Sequence, residues 1–481
     1  MSRSIHFLMV TLFFSIGLTT FGQQDTTWTK TYGGDRDDHG YDIISTEDSG
    51  YLIIGSTSSF GFDNSQMYFL KLDSLGDIMW SKSHGGTGQE AGYSVIQTRD
   101  GGFLGVGYTN SWGAGGFDLL LVKLSANGSL EYEKYFGGTD WDFAWDVIET
   151  DSNMFVIAGE TQSFGNGGKD AWLVRYDANY EIFDWNKTYG GIHDEYYKAI
   201  TKDLNNDLFA SGGGINPNRT DEDVLISKFD PLGDTVWNKY YGDTLQDYAN
   251  DITFFSDSSI VFTGRVTEKD TIKTYVVKMD ENGTLIWQDR LVNSKKATGV
   301  SVCERPDGNP AILSQIESTS IGIEFWYVFM GYNGSGTMGS LQDDWPSKMI
   351  LAKNGKYILA GSTMGFNTNY TKVLVYQTTE GYYNTNNYYY VKDLNNVLSL
   401  DQIENKPEIK ITKNENIYFF QFESNFNIGT IEVFNIQGQL CKRQTTQQKS
   451  IEIDLTHFPS GIYFYRIVLD NTIFSNSIFL D

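Results

Sequence analysis

Two stretches of the chain match along their whole length: WTKTYGGDRDDHGYDIISTEDSGYLIIGSTSSFG, residues 28–61, and WSKSHGGTGQEAGYSVIQTRDGGFLGVGYTNSWG, residues 80–113. The aromatic residue that opens each stretch recurs at intervals of 50 to 53 residues, at Trp28, Trp80, Tyr132, Trp185, Trp237 and Trp287. Self-similarity at a fixed period of this length is the signature of a repeat architecture. The repeat therefore decides the fold before any local pattern is considered.

A second marker counts the repeats independently of the first. It is the glycine that ends the second apolar run of each unit, at Gly55, Gly107, Gly159, Gly212, Gly264 and Gly361. The last two glycines are 97 residues apart, which is two periods, and Ser314 takes the place of the glycine in the unit between them. The chain therefore carries seven units, and the seventh lacks its last segment.

Each unit contains four short runs that are rich in β-branched and aromatic residues and separated by Gly, Asp, Asn and Ser. In the first unit the predicted strands are Tyr41–Ser45, Tyr51–Ser56, Met67–Leu72 and Ile78–Lys82. Four strands in about 50 residues form one blade of a β-propeller. The sequence predicts an all-β protein, with a seven-bladed β-propeller over residues 23–380. A parallel β-helix would need a shorter coil and fits the period less well.

The ring of blades has to close, because an open ring exposes strand edges and apolar faces. Trp28 aligns with Trp80, which lies on a fourth strand, whereas the seventh unit has three runs, Ser347–Ala352, Lys356–Ser362 and Thr371–Gln377. We therefore expect Thr27–Tyr32 to supply the missing strand. Tyr388–Val391 is the alternative, and the N-terminal segment is favoured because it carries the Trp-x-Lys motif of the other fourth strands.

The N-terminus has the pattern of an export signal. Arg3 precedes the apolar stretch from Phe7 to Leu18, and Thr20 and Gly22 place small residues before a cut at Gln23. The stretch is too short to span a bilayer. We predict a signal peptide over residues 1–22 and no membrane span.

The charge and the cysteines exclude several classes of function. The chain has 36 Lys and Arg against 61 Asp and Glu, a formal charge of −25, which disfavours nucleic acid as a partner. The two cysteines, Cys303 and Cys441, fall in different predicted domains, so a disulfide framework is excluded.

The C-terminal part follows a different pattern from the repeats. Residues 381–400 are predicted to form a linker, and residues 401–481 alternate in short runs typical of a small β-sandwich. The segments IEVFNIQGQL, residues 431–440, and IEIDLTHFPSGIYFYRI, residues 451–467, followed by a final strand, resemble the type A C-terminal sorting domain of the type IX secretion system. This resemblance implies export through the periplasm to the cell surface or the medium, with the secretion machinery as a partner. The repeats resemble the Gly/Trp-rich propellers of such secreted proteins, which implies a fold and no defined activity.

One acidic position recurs four residues after the second glycine of each Gly-Gly pair, or its equivalent. It holds Asp38, Glu90, Asp142, Glu195 and Asp247. If the first strand of each blade is innermost, these carboxylates ring one mouth of the axial channel, where they would suit a ligand or a hard cation such as calcium. The alternative is that each carboxylate accepts hydrogen bonds from its own Gly-Gly turn. No other cofactor is predicted.

An aromatic residue recurs five residues past the marker glycine in units 1, 2, 3 and 7. These residues are Phe60, Trp112, Phe164 and Phe366, and ring closure would place them on one arc of the same face as the carboxylates. Flat rings are suited to stacking against sugar or peptide surfaces. The alternative is that each ring folds back onto its own blade.

Three functions remain open at this point. The first is a binding or adhesion module for an extracellular glycan or protein, the second a secreted enzyme acting on polysaccharide, and the third a purely structural surface protein. An enzyme needs an asymmetric pair of catalytic groups, and the early loops are near-copies of one another. The pattern therefore favours binding, and no catalytic residue is assigned.

Overall fold

The computed structural model describes residues 28–378, residues 389–390 and residues 409–480, with short gaps in the first and last of these ranges. The gaps are residues 152, 217–218, 243–244, 270, 292–295, 319–321, 332–333, 340–341, 365–369, 415–416, 423–428, 435–439, 447, 449, 459–460 and 470–471. All regular elements in the described residues are β-strands, and the chain divides into two compact units, Met1–Asn395 and Asn396–Asp481. The predicted signal peptide and most of the predicted linker lie outside the described residues.

The first unit begins with β1 (Trp28–Tyr32) and continues in groups of four strands. Blade 1 comprises β2 (Asp38–Ser45), β3 (Tyr51–Thr57), β4 (Gln66–Leu72) and β5 (Ile78–His84). Blade 2 comprises β6 (Glu90–Gln97), β7 (Phe103–Thr109), β8 (Asp118–Leu124) and β9 (Leu130–Phe136). Blade 3 comprises β10 (Asp142–Asp151), β11 (Met154–Thr161), β12 (Asp170–Asp177) and β13 (Ile182–Tyr189). Blade 4 comprises β14 (Glu195–Lys202), β15 (Leu208–Ile215), β16 (Glu222–Phe229) and β17 (Thr235–Tyr241).

The last three blades follow the same order. Blade 5 comprises β18 (Tyr248–Phe254), β19 (Ile260–Glu268), β20 (Thr271–Met279) and β21 (Leu285–Leu291). Blade 6 comprises β22 (Lys296–Glu304), β23 (Pro310–Ser318), β24 (Gly322–Phe329) and β25 (Gly334–Gly339). Blade 7 comprises β26 (Asp344–Leu351), β27 (Tyr357–Thr363), β28 (Lys372–Thr378) and, from the start of the chain, β1.

The blades form the predicted seven-bladed propeller. Within each blade the consecutive strands pair antiparallel, and the first strand of each blade is a neighbour of the first strand of the next, from β2 round to β26 and back to β2. Seven first strands in a closed circuit line the axis, and the fourth strands lie outside. The fourth strands are accordingly more exposed, as at Ile78 and Met79 of β5.

The prediction that the N-terminal strand closes the ring is confirmed for Trp28–Tyr32. This strand pairs antiparallel with β28, from Trp28 opposite Gln377 to Tyr32 opposite Val373, while Thr27 lies outside the described residues. The two described residues of the alternative segment form β29 (Tyr389–Tyr390), which pairs parallel with β25 in blade 6.

The core lies between neighbouring blades, because the second and third strands of each blade are buried on both faces. Leu52 and Ile54 of β3 pack towards Val95 of blade 2, whereas Ile53, on the opposite face, packs towards Ile358 of blade 7. Alternate residues of one strand thus contact different blades. A single blade therefore has two apolar faces that only its neighbours can cover.

Every first strand carries a β-bulge at the same repeat position. The register shifts after Gly40, Gly92, Ala144, Tyr197, Ala249, Gly299 and Pro346. The bulged residues are Tyr41, Tyr93, Trp145, Lys198, Asn250, Val300 and Ser347. A bulge redirects the side chains on either side of it, so this position sets what each blade presents at the axis.

The residue after the bulge links blades in pairs. Asp42 accepts a hydrogen bond from the backbone N–H of Val95 at 3.0 Å, and Asp146 and Asp251 do the same for Ile200 and Val302, both at 2.8 Å. Each aspartate thereby joins its blade to the next one along the chain.

Lys348 compensates part of this buried charge. Its ammonium nitrogen lies 3.0 and 3.1 Å from the two carboxylate oxygens of Asp251. Burial raises the pKa of Asp42 to about 6 and raises that of Asp146, and the charge of Lys348 opposes both shifts. Burial tends to lower the pKa of Lys348, but the three aspartates outweigh it and the pKa is raised.

The second unit contains two antiparallel sheets, in agreement with the predicted sandwich. One sheet has β30 (Ile409–Asn414), β31 (Ile417–Phe422) and β34 (Ser450–Asp454), and the other has β32 (Gly429–Phe434), β33 (Leu440–Thr446), β35 (Gly461–Leu469) and β36 (Thr472–Leu480). Ile431 and Ile453 are fully buried, one from each sheet. Across the described parts of both units, no helix has the length and apolar character that crossing a membrane requires.

Candidate functional site

The recurring carboxylates lie at one end of the inner strands. Asp38, Glu90, Asp142 and Glu195 are the first residues of their strands rather than the residues before them, and Asp247 immediately precedes β18. All five side chains are buried, with at most 4% of their surface exposed. This burial places the carboxylates beneath the loops of that face.

Asp142 and Asp38 accept hydrogen bonds from their own Gly-Gly turn and from hydroxyls at or just after the end of the second strand of their blade. The carboxylate of Asp142 accepts bonds from the backbone N–H of Gly138 at 2.7 Å and from the hydroxyls of Ser163, at 2.7 Å, and Thr161. Asp38 has the same three kinds of partner in blade 1 and lies 3.6 Å from the ammonium of Lys372. These contacts are those of a group that fixes the Gly-Gly turn and the loop beside it.

The other three carboxylates share only some of these kinds of partner. Glu90 accepts bonds from Gly86 N–H at 3.0 Å, from Thr109 at 2.8 Å and from Gln66 at 3.2 Å. Asp247 accepts a bond from the backbone N–H of Thr267 at 2.7 Å. Glu195 accepts one from Gly191 N–H at 3.0 Å, the only hydrogen bond to this side chain in the described part of the chain.

The described residues contain no group of three or more His, Cys, Asp or Glu side chains placed to hold a metal ion. The carboxylates occupy successive blades, and each is engaged by its own surroundings. A cation site at this position stays a prediction.

The aromatic residues of the loops between second and third strands lie against blades. Trp112 stacks on Tyr135 of its own blade, with 6.3 Å between ring centroids, and Phe60 stacks on Tyr68 at 5.7 Å. Phe164 lies 6.0 Å from the ring of Trp172. Phe60 is still 40% exposed, while Trp112 and Phe164 are partly buried. Phe366 lies outside the described residues.

A second group of rings surrounds the start of the axial channel. We call it the channel cluster, and its members are His39, Tyr41, Tyr93, Phe143, Trp145 and Lys198. All six are partly exposed. They come from the first strands of blades 1 to 4, and four of them are the bulged residues of those strands.

The rings of the channel cluster contact one another across blade boundaries. Tyr41 stacks on Tyr93 with 4.7 Å between centroids, and Tyr93 meets Trp145 edge to face at 4.5 Å. The ammonium nitrogen of Lys198 lies 3.2 Å from the centroid of the Trp145 ring, a cation–π contact. An uninterrupted row of side chains therefore joins blade 1 to blade 4.

Burial tunes the titratable members of the channel cluster. It lowers the pKa of Lys198 to about 8, with the nearby charge of Glu160 opposing the shift, and it lowers the pKa of His39. Burial also raises the pKa of Tyr41. Near neutral pH the imidazole and the phenol are therefore uncharged, and Lys198 is the cation of this group.

Sequence reasoning missed the channel cluster, although a signal for it is present. Three residues after the recurring carboxylate, the repeat reads Tyr41, Tyr93, Trp145, Lys198, Asn250, Val300 and Ser347. This column changes around the ring from aromatic residues in blades 1 to 3 to a cation in blade 4 and to Asn, Val and Ser in blades 5 to 7. Only the bulge shows that the column faces the axis.

Comparison with known proteins identifies the tail. Residues 409–480 match the family described as the secretion system C-terminal sorting domain. The chain is therefore exported through the periplasm to the cell surface or the medium by the type IX secretion machinery. No curated protein matches the chain at a significant level.

Solved structures resemble the propeller only distantly. A protein of unknown function from Dyadobacter fermentans is 11% identical, with a TM-score of 0.42, over 73% of this chain and 97% of its own. An α-L-arabinofuranosidase of Fusarium graminearum, solved with arabinobiose, is 10% identical with a TM-score of 0.42, over 60% and 92%. A WD40 domain of Neurospora crassa Pan2 is 10% identical with a TM-score of 0.39, over 70% and 89%. At these levels the similarities carry no argument about function.

Proposed function

We propose that the propeller is an extracellular binding module that holds a glycan at the channel cluster. The sorting tail delivers the chain to the cell surface or the medium, where glycans are available as ligands. The observation that carries the proposal is the uninterrupted row of partly exposed rings and one cation across blades 1 to 4. This row breaks the symmetry of the repeat at the position that faces the axis.

The chemistry of the cluster suits a sugar better than a purely apolar surface. Tyr41, Tyr93, Trp145 and His39 combine flat faces with polar edges, which lets them stack on the C–H faces of a pyranose and bond to its hydroxyls. The indole N–H of Trp145 is buried and has no hydrogen-bond partner in the described part of the chain. Because a ligand cannot reach this buried atom, the sugar contacts that we assign to Trp145 are those of its partly exposed ring.

The test compares two tryptophans of the same propeller. We expect Trp145→Ala to weaken binding to extracellular polysaccharides at least about tenfold, measured by affinity electrophoresis on the purified full chain, because a stacking anchor is lost. Trp112→Ala is the matched control, since it removes the same side chain from a loop outside the channel cluster. We expect it to leave the affinity unchanged.

Both variants need a thermal melt, so that lost binding is separated from lost folding. Trp145→Phe keeps a flat ring and should retain more affinity than Trp145→Ala. Lost binding in Trp112→Ala but not in Trp145→Ala would move the site to the loop aromatics. Binding only to proteins of the cell surface, with no polysaccharide retained, would replace the glycan by a protein ligand.

A further inference from the structure

Blade 4 lacks a side chain that blades 1 to 3 use to cover their Gly-Gly turns. A Cβ placed on the second glycine of the turn would lie 3.2 Å from the ring of Phe60 at Gly34, 3.0 Å from Trp112 at Gly86 and 3.5 Å from Phe164 at Gly138. In each of these blades the loop aromatic therefore sits over the turn. At Gly191, the equivalent in blade 4, a Cβ would meet no atom of the described residues within 4 Å.

The sequence of blade 4 also differs at the position that covers the turn in blades 1 to 3. Five residues past the marker glycine Gly212 the chain has Pro217, where blades 1 to 3 have Phe or Trp. Pro217 itself lies outside the described residues. The described surroundings form a cavity of about 380 Å³ between the turn and the third and fourth strands of blade 4.

The lining of this cavity is equivalent to the contacts of the missing ring. Leu225 aligns with Tyr68 and Trp172, on which Phe60 and Phe164 pack, and Tyr240 aligns with Tyr135, on which Trp112 stacks. Tyr240 is partly exposed. The cavity thus has the position and the lining that accommodate a flat ring. In blades 1 to 3 the equivalent position is occupied by an aromatic side chain of the protein itself.

Glu195 adds a hydrogen-bond acceptor to the lining of this cavity. In blade 3 the hydroxyls of Thr161 and Ser163 donate to Asp142, but the equivalent positions of blade 4 are Gly214 and Asn216. Glu195 is 4% exposed and lines the cavity, and among the described residues its carboxylate accepts a hydrogen bond only from Gly191 N–H. It therefore has acceptor capacity that a ligand in the cavity can use.

We propose that this cavity is a binding site for one neutral sugar ring, separate from the channel cluster. A pyranose offers a flat C–H face to Tyr240 and hydroxyl donors to Glu195, whereas a Phe ring offers no donor and an anionic sugar would be repelled by the carboxylate. The volume lies near the lower end of the roughly 300–1,000 Å³ typical of small-ligand pockets, which fits a single ring. Burial raises the pKa of Glu195, with Asp170 adding to the shift.

The site lies on the other side of β14 from the channel cluster. Successive residues of a strand point to opposite faces. Glu195 and Tyr197 line the cavity. On the axial side, Lys198 contacts both Tyr196 and Trp145. The two proposals therefore fail independently. We expect Trp145→Ala to leave binding at the blade 4 cavity unchanged.

The experiment uses the full chain and small probes. Methyl glycosides of glucose, galactose and mannose, together with N-acetylglucosamine, are titrated by saturation-transfer and chemical-shift NMR. We expect at least one of them to bind with a dissociation constant on the order of 1 mM. Glucuronate and N-acetyltryptophanamide, an anionic sugar and an aromatic ring without hydroxyls, should bind at least about tenfold more weakly.

Gly191→Leu is the variant that tests the location. Its backbone is not in the left-handed region and its side chain has room, so the leucine should fill the cavity, abolish sugar binding and leave the melting temperature unchanged. Tyr240→Ala and Glu195→Gln should each weaken binding about tenfold. The proposal is overturned if no neutral sugar binds, if the aromatic probe binds in preference, or if binding survives in a folded Gly191→Leu protein.

Discussion

Blades 3 and 4 are neighbours with the same strand order, the same Gly-Gly turn and the same bulge, yet they differ in how that turn is covered. In blade 3, Phe164 lies over Gly138, and Asp142 is held by one backbone N–H and two hydroxyls. In blade 4 no described atom lies over Gly191, and Glu195 has a single described hydrogen bond. The difference shows that one repeat can keep its backbone while replacing an internal ring with a cavity.

The inner strands of the two blades also differ. Blade 3 has Asp146 after its bulge, and blade 4 has Ala199 at the equivalent position. Asp146 accepts bonds from Ser94 of blade 2, at 2.7 Å, and from Ile200 N–H of blade 4. The comparison therefore offers substitutions that convert one blade towards the other, with the second blade as a control.

The largest effect is expected from Asp146→Ala, which gives blade 3 the residue of blade 4. It leaves the hydroxyl of Ser94 and the N–H of Ile200 without their acceptor, so we expect a loss of about 3 kcal/mol in the free energy of unfolding. Asp146→Asn keeps an acceptor oxygen and should lose about 1 kcal/mol or less. Urea unfolding of both variants measures the difference.

The difference in stability between wild type and Asp146→Asn should depend on pH with a defined sign. Burial raises the pKa of Asp146 in the folded state above its ordinary value of 3.8, so the folded protein holds this proton more tightly than the unfolded chain. Stability from Asp146 is therefore greatest below pH 3.8 and decreases as the pH rises through the folded-state pKa. Wild type should lose stability relative to Asp146→Asn over this interval, and an unchanged difference would contradict the shift.

A smaller effect is expected from the carboxylates at the turns. Asp142→Ala removes the acceptor of three donors and should cost about 2–3 kcal/mol, while Glu195→Ala removes the acceptor of one described donor and should cost about 1 kcal/mol. Thermal melts of the two variants compare them directly. Equal losses would mean that the turn of blade 4 depends on its carboxylate as much as that of blade 3.

The turn glycines give the next effect in size. A Cβ at Gly138 would lie 2.6 Å from the Cβ of Ser163, so Gly138→Ala forces the loop to move and should cost about 1–2 kcal/mol. Gly191→Ala meets no described atom within 4 Å and should change stability by less than about 0.5 kcal/mol. A clear destabilisation by Gly191→Ala would show that the blade 4 cavity is occupied in solution.

The smallest effect is expected from Glu195→Gln. Burial raises the pKa of Glu195 above its ordinary value of 4.5, so the ionised form costs stability once the pH exceeds that value. The glutamine variant should match wild type near pH 4 and be more stable near pH 7.5, by less than about 1 kcal/mol. A variant that is less stable than wild type at pH 7.5 would reverse the sign.

The fold was accessible from sequence because its determinants are periodic and local. The recurring tryptophan and glycine count the blades, the short β-type runs identify the strands, and the Trp-x-Lys motif at Trp28 identifies the closing strand that pairs with β28. The tail was accessible because its matching segments occur in order at the end of the chain. Strand ends were less accurate, since β2 begins at Asp38 rather than at Tyr41.

The candidate sites were accessible only in part. The recurring carboxylates and loop aromatics can be identified from the repeat, but their surroundings cannot, because Phe164 packs on a ring of β9 as well as on its own blade. The channel cluster requires the bulge, which turns Tyr41, Tyr93 and Trp145 towards the axis. A bulge is a property of strand pairing, and no residue type in the repeat predicts its position.

The amino-acid sequence by itself determined the number of blades and the route of export and favoured one of two strands to close the ring, because each depends on residues that recur or stand in a fixed order. The tertiary structure alone decided which rings cover a turn, which rings face the axis and which turn borders a cavity. The rings that face the axis contact neighbouring blades, about 50 residues away in sequence, and the rings that cover the turns come from loops 26 residues after the turn glycine. Over Gly191 the same Gly-Gly turn has no described atom within 4 Å of an added Cβ, and the sequence has Pro217 where the covering ring stands in blades 1 to 3.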